Sequence, residues 1–201
     1  MTEKPELAWL HGRRSVRRYR PEPIPPQLID QLLTAAIWAP SAHNRQPWRF
    51  AIIQDPPTRH NLATAMGQQL RADLQADQVA ETTIAQDTGR SYQRLTTAPL
   101  LILLCLSMAD MDNYPDPQRQ QQEWTMAVQS VAMAGQNLLL AAHTLGLAGC
   151  WLCAPLFCPD IVCQCLGLPA DWQPQGFIAV GYPAGSRPQT RHPLATKVKF
   201  I

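Results

Sequence analysis

The sequence predicts a single α+β sandwich over residues 1–201, and three observations carry that prediction. The length is enough for one domain with a full core and too short for two. Segments of helical and strand character interleave, but without the regular strand–helix–strand rhythm of a doubly wound sheet. Neither G-x-G-x-x-G nor G-x-x-x-x-G-K-S/T occurs, which removes the usual dinucleotide and phosphate loops of such sheets.

The first clear helix begins at Pro25, with apolar residues at Leu28, Ile29, Leu32, Leu33, Ala36 and Ile37. Its leading prolines are harmless because first-turn N–H groups have no partner within a helix, and Pro40 ends it. Trp48 to Ile53 reads as a short strand closed by Asp55-Pro56-Pro57. Leu62, Met66, Leu70 and Leu74 recur every four residues, an amphipathic helix with Arg71 and Asp73 on its polar face. The uncharged run Leu100 to Leu106, bounded by Pro99 and Ser107, is a central strand. Ser107 to Gln122, with Pro115 and Pro117, is expected to be a loop of the length that lids and binding segments have. A long helix follows from Glu123 to Leu145, with Gly146 as its C-cap. It is apolar nearly all round, so it asks for burial on every side. A short helix near Asp160 to Leu166 and a strand from Phe177 to Gly181 complete the core. The tail from Ala184 is basic and punctuated by proline.

Composition narrows the function. The chain is 46% hydrophobic and only 16% charged, so part of its apolar surface is expected to lie against a partner chain. A net charge of +2 argues against nucleic acid as a partner. The apolar stretch Met126 to Leu152 is interrupted by Gln129, Ser130, Gln136, Asn137 and His143, which makes it a buried helix and not a membrane anchor. Met1 to Leu7 mixes acid, base and proline, unlike the apolar core of a signal peptide. Five of six cysteines fall between Cys150 and Cys165, with Cys105 apart. C-W-L-C has no second CxxC, the C-Q-C pair points to different helix faces, and the stretch holds no histidine. Free thiols in a reducing cytoplasm are expected, with neither a zinc site nor a catalytic role.

Four motifs could carry chemistry. In R-R-S-V-R, alternation along an extended segment would throw Arg13, Ser15 and Arg17 to one side, two forked cations and a hydroxyl suited to a phosphate; a solvated basic face is the plain alternative. In A-P-S-A-H-N-R-Q-P-W, from Ala39 to Trp48, the Ser, Asn and Gln side chains offer donors and acceptors on a loop. In L-G-L-A-G-C-W-L-C-A-P, from Leu145 to Pro155, glycines allow backbone to approach a ligand, or simply turn a helix into a strand. The tail R-P-Q-T-R-H-P, Arg187 to Pro193, is a second basic site.

These motifs, in this order and with Q-N-L-L-L-A-A-H-T-L-G-L-A-G-C-W before the third, resemble the nitroreductase family across nearly the whole chain. The resemblance implies a nitroreductase-like α+β fold: a central, mostly antiparallel sheet flanked by helices, in an intertwined homodimer with FMN in two interface pockets. It implies Arg13, Arg14, Ser15 and Arg17 at the phosphate and pyrimidine edge, and Pro40, Ser41, Ala42 and Asn44 along the flavin. It further implies Trp151, Leu152, Cys153 and Ala154 on the opposite ring face, with a backbone N–H near the reducible nitrogen, and Arg191 at the phosphate. Gln189 stands where many relatives carry a lysine. Ala65 to Asp77 and Cys150 to Asp160 are similar to the FMN-using reductase domain joined to the glutamyl ligase of deazaflavin-coenzyme biosynthesis. On this resemblance NAD(P)H donates electrons through FMN to a small-molecule acceptor, and no catalytic side chain is named. The histidines, His143 among them, are expected to be structural or solvent-facing. Oxygen-dependent flavin fragmentation on the same fold, and a non-catalytic flavin or deazaflavin carrier, are the alternatives.

Overall fold

The computed structural model describes residues 4–185 and 190–201. Its sheet is built around Leu100–Leu106 (β2), buried at every position. Trp48–Ile53 (β1) pairs antiparallel with β2, Gln173–Gly181 (β4) lies antiparallel on its other side, and Ala148–Leu152 (β3) pairs antiparallel with β4. The order is β1-β2-β4-β3.

Side chains alternate across a strand, so β2 feeds two cores. Leu100, Ile102, Leu104 and Leu106 pack under Pro26–Ile37 (α2) and Pro117–Thr144 (α5), through Leu32, Ala36, Val131 and Leu138. Leu101, Leu103 and Cys105 face the helices Pro56–Ala76 (α3), Glu81–Thr96 (α4) and Pro159–Leu166 (α6), through Leu62, Met66, Leu95 and Val162. The predicted sandwich of helices about an antiparallel sheet is therefore the observed one. A further short helix, Pro5–Gly12 (α1), precedes it and buries none of its residues.

Two expectations need correction. The loop from Ser107 stops at Asp116, because α5 begins at Pro117 and not at Glu123: the Asp116 carboxylate accepts from the Arg119 N–H at 2.8 Å, and Pro117 occupies the first turn. Residues 118–122 are polar and none is buried, so no apolar period announced them. Second, Ala148–Leu152 is a strand in its own right, where the sequence suggested a connection. Within one chain α5 keeps an open flank, with Ala132, Met133 and Gln136 exposed. Its end is as expected: Gly146 takes φ 71° and the Leu147 N–H donates to the Ala142 carbonyl at 2.8 Å.

Candidate functional site

The arginine segment is extended and threaded beside the far edge of the sheet. Ser15 bridges to Gly149 and Tyr19 to Pro183, and the Arg20 N–H donates to the Tyr182 carbonyl at 2.9 Å. Tyr19 anchors it: its hydroxyl donates to the Ala179 carbonyl at 3.0 Å, its ring lies against Gly181, and burial raises its pKa. Simple alternation does not describe the arginines. Arg13 and Arg14 both line a cavity of about 310 Å³ with Gly12, Val16, His143 and Gly149, whereas Ser15 and Arg17 are not part of its lining. The reason is α1, whose last carbonyls lack helical partners. Arg14 folds back to donate to the carbonyls of His11 and, at 2.9 Å, Arg13. Arg17 is exposed and lowers the pKa of the Cys150 thiol, against the larger effect of burial, which raises it.

The second segment lies against the middle of α5, at Ser130. After α2, Pro40 is exposed, Ser41 and Ala42 are half-buried, and His43, Asn44 and Gln46 all take positive φ near 50°. Such backbone persists only where neighbours over-determine it. Here the Ser41 hydroxyl accepts from the Gln46 N–H at 3.1 Å, and the buried Ser130 hydroxyl of α5 accepts from the Ala42 N–H at 3.2 Å. Arg45 pairs with Asp112, and Arg49 with Asp110 at 2.7 Å, tying the segment to the loop after β2. Ser130 and His143 are thirteen residues apart, about 20 Å along the helix axis at 1.5 Å per residue.

The third segment runs along β3, against α5 between Ser130 and His143. Trp151 sends its indole into a slot between Gly135 of α5 and Gly176 of β4. Leu152 and Ala154 are half-buried and Cys153 is exposed, its sulfur accepting from the Trp151 indole N–H at 3.1 Å. All six cysteines are free, and C-Q-C splits as spaced, with Cys163 partly buried and Cys165 exposed. Among the described residues no cluster of three or more His, Cys, Asp or Glu could hold a metal ion, and no helix is long and apolar enough to cross a membrane. Arg191 lies exposed on the tail, outside the lining of the cavity; Arg187 and Gln189 fall outside the described residues.

The cavity suits an anion. Arg13 Nη1 is buried beside it without a hydrogen-bond partner among the described residues. A buried guanidinium N–H left so is costly, and a phosphate oxygen is its natural acceptor. The motifs did not announce His143 at this cavity. The signal for His143 was its i,i+4 spacing from Leu139 at the end of the helix that leads into Gly149; both line the cavity.

Comparison with known proteins gives a consistent result. Residues 10–182 match the sequence model of the nitroreductase family. A protein of Thermus thermophilus named NADH dehydrogenase is 32% identical over 196 residues, 90% of this chain and 89% of its own. The 5,6-dimethylbenzimidazole synthase of Rhodospirillum rubrum is 29% identical over 194 residues, covering 90% of this chain and 83% of its own. In the crystal structure of a nitroreductase-type protein from Desulfovibrio desulfuricans in complex with FMN, the chain superposes with a TM-score of 0.76 at 28% identity, over 100% of this chain and 98% of that one.

Proposed function

From the premise that this chain belongs to the nitroreductase family and is an oxidoreductase, we propose that two copies hold FMN between them and pass electrons from NAD(P)H to a small conjugated or heteroaromatic acceptor. The observation that carries this reading is the buried, unpartnered Arg13 Nη1 at the cavity wall, a cation waiting for an anion. FMN, when bound, supplies the two-electron relay between a nicotinamide and an acceptor.

The chain's residues divide the work of holding it. Arg13 and Arg14 face the phosphate, with Arg191 joining from the tail, and Ser15 and Arg17 continue toward the pyrimidine edge. Cys153 and Ala154 offer backbone N–H groups beyond β3, while Trp151 and Leu152 keep that backbone packed. Pro40, Ser41, Ala42 and Asn44 close the opposite side from a second copy. Two copies are favoured because the cavity meets α5 at Leu139 and His143 and does not reach the Pro40–Asn44 segment of its own chain, which meets the helix at Ser130. A deazaflavin-coenzyme precursor fits the acceptor class on the resemblance of Ala65–Asp77 and Cys150–Asp160 to the ligase-linked reductase.

The test is direct. Mass analysis of the released cofactor should give FMN, and Arg13→Ala should loosen its binding roughly ten- to a hundredfold, the effect of losing about 1.5–3 kcal/mol from a charge-assisted hydrogen bond. FAD in the wild type, or unchanged affinity in the variant, would move the site elsewhere. A second reading, oxygen-dependent flavin fragmentation, is favoured by the 29% identity to the dimethylbenzimidazole synthase. Spectra after reduction in air separate the two, since only fragmentation destroys the flavin irreversibly.

A further inference from the structure

His143 sits in the arginine cavity for reasons of geometry that a merely structural histidine does not need. It lines the cavity with Arg13 and Arg14, and a Cβ placed on Gly12 would lie 3.2 Å from its Nε2. Its ring stacks on Trp9 of α1, centroids 5.5 Å apart and planes 28° from parallel. It stands one residue before the end of α5, where helix carbonyls point outward.

We propose that His143 is a third, titratable member of the phosphate pocket, which takes up a proton as FMN binds. This rests on the reading that the phosphate enters the Arg13 cavity. The ring lies at the C-terminal end of α5 and against the face of the Trp9 indole, both of which attract a cation, and the guanidiniums of Arg13 and Arg14 line the same cavity. The other described lining residues, Val16, Leu139, Leu147, Ala148, Gly149, Pro183 and Gly185, carry no titrating side chain. A bound phosphate dianion offsets the charge of the two guanidiniums, and by linkage the ring binds a proton from solvent as the anion arrives. Protonated, it adds a charge-assisted contact to those of the arginines.

The experiment is calorimetric titration of the flavin-freed full-length chain with FMN near pH 6.5, in buffers of differing ionisation enthalpy, with circular dichroism to show that the chain keeps its helix content. The FMN phosphate, with a second pKa of about 6, releases protons when bound as the dianion. The wild type should take up more protons per FMN than His143→Gln, and riboflavin, which lacks the phosphate, should abolish the difference. FMN affinity of the variant should be about tenfold weaker at pH 6 and equal to the wild type at pH 8.5. Equal proton counts in both chains would overturn the proposal while leaving the phosphate site intact, provided that Arg13→Ala still weakens binding. If neither variant alters binding, the phosphate reading itself fails, and this proposal with it. Should His143→Gln not fold, His143→Asn takes its place: fewer protons taken up per FMN than in the wild type, with no such difference for riboflavin, supports the role, and equal counts exclude it.

Discussion

At the scale of single residues, the slot that holds Trp151 shows how tightly this fold ties binding backbone to core packing. A Cβ on Gly135 would come within 2.3 Å of the indole Cζ3, and one on Gly176 within 2.7 Å of Cζ2. Neither glycine is there for a turn; each is there because the indole fills the space a side chain would need. Gly135→Ala should therefore destabilise by about 1–3 kcal/mol through overpacking. Gly67, in α3 with nothing within 4 Å of an added Cβ, is the control: Gly67→Ala should stabilise by about 0.5–1 kcal/mol through helix propensity. Thermal unfolding of the two variants should shift in opposite directions, and equal shifts would show that the slot is looser than its geometry. The roles of these glycines were not legible in the sequence, because small size read alone points equally to a turn, a bulge or a neighbour.

Among the elements, legibility followed the apolar period. The α2 and α3 helices bury a periodic face, β1 and β2 are short apolar runs bounded by proline or polar residues, and each was found near its observed bounds. Two helices were not. The α4 helix buries only Ile84 and Leu95, and α1 buries nothing, so neither leaves the stripe by which a helix is recognised. The cap that starts α3 was visible in Asp55-Pro56-Pro57, though read as the end of a strand. Asp55 accepts from the Thr58 N–H at 2.8 Å and from its hydroxyl at 2.7 Å, and these bonds hold its pKa below the usual value. A group depressed in the folded state contributes stability at pH above its unfolded pKa and loses it as pH falls through the folded one. Asp55→Asn should therefore remove part of the acid-side loss of stability below about pH 4, while leaving the neutral-pH cap largely in place. Identical pH profiles of denaturation midpoint for the two chains would contradict this.

For the whole molecule, the surface asks for a partner. Trp38 is 81% exposed and Phe157 79%, while Met133 stands out from the open flank of α5. Light scattering should give a folded, flavin-loaded particle of twice 22.4 kDa; a flavin-loaded monomer would refute the two-copy site. The order of motifs announced the family and, of the residues that line the cavity, Arg13 and Arg14. What no motif could announce was distance. R-R-S-V-R and P-S-A-H-N are close in sequence, yet the fold sets Ser130, which holds the second, about 20 Å along α5 from His143, which faces the first.

That separation has a genetic consequence. If each flavin is held by the arginines of one copy and the Pro40–Asn44 segment of another, damage to the two segments is not equivalent within one chain. Mixing a chain altered at Arg13 with one altered at Asn44 yields heterodimers in which one pocket collects both lesions and the other collects neither. Two inactive alleles would then complement, restoring up to half the flavin of the intact dimer in the mixed species, whereas two alleles altered at Arg13 and Arg14 would not.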